Sequence, residues 1–243
     1  MAAIQSFAKA VGSLLFKTNS SLRKTTEKNL ALAYPDMTSD ERDVLTQKSM
    51  QSQCMTYAES VKIWGSSTDY ALSLITKIQG ESIFKDAINA QKGVLVVVPH
   101  FGTWELLNAW LNQHSSPVIM YKPNKNEDVD RFMLEARQRL NAMLVPTDES
   151  GVRAIFKHLK SGGLTVMLPD HVPKESGGIY SMFYGQNALS STLVSKLASK
   201  TQCKVIGMTC SRNENSGGFE IVVSEISDDI SSKDLQCSVD TLN

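Results

Sequence analysis

The sequence is poor in cysteine: Cys54, Cys203, Cys210 and Cys237 are the only four in 243 residues. None belongs to a C-x-x-C pair, and none has a histidine partner at metal-ligand spacing. The chain therefore has no disulfide frame and no zinc knot to organise it. The four read as reduced, mostly buried thiols of a cytosolic compartment. An excess of one charge is also missing. The 25 Lys and Arg balance 25 Asp and Glu, and the pI is ≈ 6.9. The balance argues against a globally basic nucleic-acid binder and leaves local basic patches open. No apolar run reaches the ~18 residues of a membrane-spanning helix. The apolar stretch from Ile4 to Phe16 lacks the basic n-region and A-x-A site of a cleaved signal. There is no internal repeat and no low-complexity tract. There is no G-x-S-x-G elbow for a nucleophilic serine, no G-x-G-x-x-G and no P-loop, and nothing calls for a metal.

The length suffices for one α/β domain with a sizeable core. Its centre is Val94-Leu95-Val96-Val97-Val98-Pro99-His100-Phe101-Gly102-Thr103-Trp104-Glu105-Leu106-Leu107. Five aliphatics without alternation predict a strand buried on both faces, as in a helix-covered sheet. Pro99 ends it. His100 then stands at the strand's carboxyl end, where open α/β sheets hold their ligands. Gly102 permits close backbone approach, Thr103 is placed as an N-cap, and a helix follows from Trp104. A carboxylate at Glu105 can reach the ring of His100. A histidine so oriented is a general base for a hydroxyl attacking a carbonyl. The bland reading competes, since a histidine after a strand is more often a loop or core residue. A glutamate in a first helical turn is also common, because of the helix dipole.

Around this centre, Ile4, Phe7, Ala8, Val11, Leu14 and Leu15 share one helical face, with Lys17, Arg23, Lys24 and Lys28 following. That pattern fits a helix lying in an anionic membrane interface, and fits a core-packing helix equally well. A helix from Arg23 stops at Pro35. Thr38-Ser39-Asp40-Glu41 is a capping box opening a long helix to about Trp64; Glu59 on it reads as a solvated helix residue. A strand is expected within 72–79 and a short helix over 82–91. Further buried strands are expected at 117–121, 143–146 and 164–168, with helices over 128–141, from Ser150, and over 190–200. Residues 204–210 and 218–226 read as a closing, hairpin-like pair of strands. Arg153, near a helix N-terminus where backbone already favours anions, is the arginine best placed for a phosphate. Asp170 in Pro169-Asp170-His171 ends a strand and borders the same crevice as His100.

His100-Phe101-Gly102-Thr103-Trp104-Glu105 resembles the His-x4-Asp/Glu signature of the bacterial lipid A biosynthesis (lauroyl/myristoyl) acyltransferases, within the wider lysophospholipid acyltransferase group. Tyr121-Lys122-Pro123 resembles that family's Tyr-Arg-Pro, with Lys for Arg. Arg137-Gln138-Arg139 resembles its Arg-x-Arg, which is associated with phosphate-bearing substrate. Leu168-Pro169-Asp170 resembles its Leu-Pro-Asp-Gln, with His171 for Gln. Residues 179–185 resemble its aromatic Phe-Phe-Gly segment.

The resemblance implies a central, mostly parallel sheet covered by helices, with residues 1–20 as a membrane-associating helix and 21–243 as a single acyltransferase domain. It implies family members that continue through a further helix and an aromatic-rich tail absent here. It implies His100 and Glu105 as a catalytic dyad; Tyr121, Lys122, Arg137, Arg139, Arg153 and Asp170 as substrate-binding; and Trp104, Phe183 and Tyr184 as acyl-chain lining. It implies no bound cofactor. It implies an acyl-phosphopantetheine thioester on acyl carrier protein as donor, and a hydroxyl of a lipid A precursor at the cytoplasmic face of the inner membrane as acceptor. The same chemistry on another glycolipid or lysolipid, a thioesterase or lipid hydrolase, and a non-catalytic lipid-binding module are the alternatives.

Overall fold

The computed structural model describes residues 1–18, 20–213 and 217–243. Its contacts cluster into two units: residues 1–63 with 182–188, and residues 64–181 with 189–243.

The first unit is helical. It contains α1 (Ala2–Lys17), α2 (Ser21–Ala33) and all but the last residue of α3 (Ser39–Trp64). The capping box forms as expected: the Glu41 amide donates to Thr38 Oγ1 at 3.4 Å, and the Thr38 amide donates back to Glu41 Oε2 at 3.0 Å. Helix α1 lies tightly on α3. A Cβ on Gly12 would sit 2.7 Å from the Gln51 Cα, Gln51 Nε2 donates to Ser13 Oγ at 2.8 Å, and Gln5 Nε2 donates to Glu59 Oε1 at 2.7 Å. Glu59 is thus fully buried rather than solvated. The expected single apolar face of α1 divides in two. Ala8 and Gly12 are buried, while Phe7 and Leu14 are 70% and 60% exposed. Arg23 leaves the expected basic cluster. It donates to the Phe16 carbonyl, packs over the Phe16 ring, and pairs with Glu27 and Asp43.

The second unit is the α/β body. Among the described residues its main sheet has seven strands, β1 (Ile75–Gln79), β2 (Val94–Val97), β3 (Val118–Tyr121), β4 (Met143–Pro146), β5 (Leu164–Met167), β8 (Lys204–Arg212) and β9 (Phe219–Glu225), in the order β1-β9-β8-β2-β5-β3-β4. All neighbours run parallel except β8 and β9, which form the expected antiparallel pair. Strand β2 is central, with Val94 in register with Leu164 of β5 on one side and Lys204 of β8 on the other. Leu95 and Val96 are wholly buried, as an unalternating aliphatic run demands.

Helices α5 (Glu81–Asn89), α6 (Glu105–Leu111), α7 (Glu127–Gln138), α8 (Glu149–Lys160), α9 (Leu193–Thr201) and α10 (Leu235–Leu242) accompany the sheet. One core cluster joins Leu95, Ile155, Leu159, Val194, Leu197 and Ala198. The segment expected as a strand over 72–79 splits: α4 (Thr68–Ser73), capped by Ser67 Oγ, precedes β1. Strands β6 (Gly178–Phe183) and β7 (Gln186–Ser191) form a two-stranded ribbon outside the main sheet. No helix among the described residues is long and apolar enough to cross a membrane.

Candidate active site

The loop after β2 is pinned at Gly102. Its φ is +63°, a Cβ there would lie 2.1 Å from the Cys210 carbonyl oxygen, and the Thr103 amide donates to that same oxygen at 2.7 Å. Only glycine accepts this approach without strain. Helix α6 then begins at Glu105 with no side-chain cap, so Thr103 is not its cap. The loop holds His100 at the carboxyl end of the central strand.

His100 finds its carboxylate on the neighbouring strand. Val97 is the register partner of Met167, and three residues beyond each strand stand His100 and Asp170. Asp170 Oδ2 accepts the His100 amide at 2.7 Å and Oδ1 lies 2.7 Å from ring Nδ1. In the neutral ring, a carboxylate at Nδ1 favours the proton there and leaves Nε2 as the acceptor nitrogen. Partial burial pushes the Asp170 carboxyl up. The ring and amide hydrogen bonds from His100, with the ring's charge, outweigh this and hold it below the usual range. Trp104 meets the His100 ring edge-on at 5.4 Å, and the His171 ring lies at 4.2 Å, tilted 45°.

The expected His100–Glu105 pair is not what the fold assembles. Glu105 points into the protein, 3% exposed. Its Oε1 accepts from Arg137 of α7 at 2.9 Å, and its Oε2 accepts from Asn108 Nδ2 at 3.1 Å. The Arg137 guanidinium also packs 5.3 Å from the Tyr121 ring centre. Arg137 Nε is buried and has no hydrogen-bond partner among the described residues. The Tyr121 hydroxyl donates to Asp130, which also accepts the Asn124 amide at 2.6 Å. Burial, that hydrogen bond and the Asp130 charge push the phenol up to about 12, so Tyr121 is a donor and not a base.

A cavity of about 430 Å³ opens beside His100, across the carboxyl ends of β2, β5, β3 and β4. Leu107, Ile119, Met120, Leu140, Leu144 and Val194 supply apolar wall, while His100, Trp104, Asn108, Lys122, Arg137 and His171 also line it. The other expected site residues lie elsewhere. Arg139 donates to the Trp64 and Ser66 carbonyls, to the latter at 3.2 Å, so it caps backbone rather than facing the cavity. Arg153 is 69% exposed beside Glu149, on the outer side of α8. Phe183 ends β6 and Tyr184, at φ +48°, begins the turn to β7; both rings are exposed and belong to the first unit.

Sequence reasoning placed Asp170 in the crevice but not on the imidazole. The signal was present in Val97-Val98-Pro99-His100 and Met167-Leu168-Pro169-Asp170, two copies of one strand-ending pattern. Recognising that these strands are neighbours would have paired the two polar residues. Asn108 and the aliphatic wall were missed because their roles depend on how α6 and α7 cover the sheet.

The description "Bacterial lipid A biosynthesis acyltransferase" matches residues 1–243. The chain is 28% identical over 199 residues to a lipid A biosynthesis acyltransferase of Haemophilus influenzae, covering 81% of this chain and 62% of that protein. It is 23% identical over 214 residues to the lipid A biosynthesis lauroyltransferase of Escherichia coli, covering 88% and 69%. It is 22% identical over 197 residues to the palmitoleoyltransferase of the same organism, covering 81% and 63%. The matched region thus spans about two thirds of the length of these relatives. With its motif on the central strand and the match running end to end, the chain belongs to the bacterial lipid A biosynthesis acyltransferase family.

Proposed function

We propose that this protein transfers a fatty acyl chain from a thioester to a hydroxyl of a lipid A precursor, with His100 as general base. The observation that carries the reading is an imidazole held at Nδ1 by Asp170 beside a largely apolar cavity. His100 Nε2 takes the acceptor's proton as its oxygen attacks the thioester carbonyl. The tetrahedral adduct then collapses, the C–S bond breaks, and the proton passes from His100 to the leaving sulfur. No covalent acyl-enzyme is needed. Arg137 lines the cavity with its guanidinium anchored on Glu105, and in this reading its remaining N–H groups donate to a substrate oxygen. Lys122 adds a second cation along the same wall. The named activities of the relatives support a lipid A precursor as acceptor and a fatty acyl group as cargo. Acyl carrier protein is the proposed donor, and the cytoplasmic face of the inner membrane the proposed place of reaction.

The direct test is mass spectrometry of lipid A from cells with the gene intact, deleted, or carrying His100→Ala. Loss of one secondary acyl chain in both altered strains supports the reading, and an unchanged spectrum refutes this acceptor. Release of free fatty acid at the same rate with and without acceptor would instead identify a hydrolase.

Two further expectations follow from the geometry. The cavity crosses from His100 at β2 over β5 and β3 to Ala142 and Leu144 at β4. At ~4.8 Å per strand that is about 14 Å. Ala142→Leu fills this far end and shifts the preferred donor to a shorter chain, read by competing donors of different length; an unmoved preference places the chain elsewhere. On α1, Phe7 and Leu14 are bare on a helix whose other side is packed. Such residues seat a helix in a membrane interface. Phe7→Ser with Leu14→Ser therefore lowers binding to anionic vesicles several-fold with circular dichroism unchanged, whereas full retention removes α1 from the membrane contact.

A further inference from the structure

We infer that His171 is a positioning residue for His100, its ring acting with that of Trp104 to hold the imidazole with Nδ1 on Asp170 and Nε2 toward the cavity. The functional half of this inference rests on the reading of His100 as the proton acceptor; the positional half does not.

The His100 side chain is 32% exposed, so its ring hydrogen bond to Asp170 is open to competition from water. The torsion that turns an imidazole has broad, roughly two-fold minima, and one carboxylate oxygen does not by itself forbid the flipped ring. The structure supplies two further restraints. Trp104 stands edge-on at 5.4 Å and 79°, and His171 lies over the ring at 4.2 Å and 45°. Asp170 and His171 are consecutive, so one short turn grips His100 by its amide, its Nδ1 and its ring face.

The charge distribution gives the ring a second use. In the proposed reaction His100 gains a positive charge while Lys122 and Arg137 line the same cavity. Glu105 is already committed to Arg137, which leaves Asp170 as the carboxylate on the imidazole. A ring within ~6 Å of a cation can stabilise it through its π-system, and the His171 ring centre lies 4.2 Å from that of His100. A glutamine at this position could donate or accept a hydrogen bond, but it has no ring to stack.

The test uses the full chain with His171→Gln, His171→Ala and His171→Phe. Long-range ¹H–¹⁵N correlation spectra report the His100 tautomer, assigned by its loss in His100→Gln. Wild type and His171→Phe should show one tautomer, protonated at Nδ1, while the Gln and Ala variants show a mixture. In acyl transfer, the Gln and Ala variants should lose about five- to tenfold in kcat with KM within about twofold, and His171→Phe should stay near wild type. A single tautomer with undiminished kcat in His171→Ala overturns the inference. So does a loss in His171→Phe equal to that in His171→Ala. Should wild type transfer no acyl group at all, the acyl-transfer reading fails, and the tautomer spectra still decide whether His171 positions His100.

Discussion

Asp170→Asn should lower acyl-transfer turnover by about 10²–10⁴-fold while leaving the fold intact. Asparagine is nearly isosteric, so the loop after β5 keeps its shape. What changes is the group at His100 Nδ1, now 2.7 Å from a carboxylate oxygen. An amide that turns its NH2 to the ring stabilises the tautomer with the proton on Nε2, the atom that must accept. The negative charge opposite the forming imidazolium is lost as well. The same carboxylate gives a smaller, signed effect on stability. Asp170 is held below the usual carboxylate range in the fold. Its contribution is therefore present above the unfolded value, ~3.9, and lost as pH falls through the folded value. Melting temperature should drop in acid less steeply for Asp170→Asn than for wild type. The difference is modest because the side chain is 37% exposed.

Glu105→Ala should cost stability first and activity in consequence. Removing the carboxylate leaves Arg137 largely buried without its partner at 2.9 Å, and strips Asn108 of an acceptor. Leaving one half of a buried pair uncompensated costs about 3–5 kcal/mol, a fall of roughly 10 °C in Tm for a chain of this size. Replacing both partners with apolar groups, as in Glu105→Met with Arg137→Leu, should recover most of the melting temperature, since the desolvation cost disappears with the charges. Activity should not return with it, because Arg137 lines the cavity. A Glu105→Ala protein that melts like wild type yet turns over like His100→Ala would return Glu105 to the imidazole.

The contrast between these two carboxylates shows where sequence stops being legible. The buried strand, the position of His100 and the nearness of Asp170 follow from local rules: five aliphatics in a row, a proline stop and a polar residue at the carboxyl end. The partner of Glu105 does not. It lies 32 residues away on α7, and which way the first turn of α6 aims its carboxylate depends on how the helices cover the sheet. Proximity in sequence favoured His100 over Arg137, and packing decided otherwise. The arginines make the same point. Arg137, Arg139 and Arg153 all sit in or at the ends of helices, and only the tertiary structure separates the one in the cavity from the one capping backbone and the one in solvent. In α1, one apolar pattern serves two surfaces at once, burying Ala8 beside the Gly12 contact with α3 while leaving Phe7 and Leu14 bare. Hydrophobic periodicity records that a face is apolar, not what covers it.

The measurement that bears most directly on this account is a double-mutant cycle in acyl transfer, with His100→Ala, Asp170→Asn and the two combined. If Asp170 acts only through His100, the double variant is no slower than His100→Ala alone, because groups that work as a unit are lost together. Losses that multiply, or an Asp170→Asn enzyme within tenfold of wild type, would contradict the His100–Asp170 pair as the catalytic core.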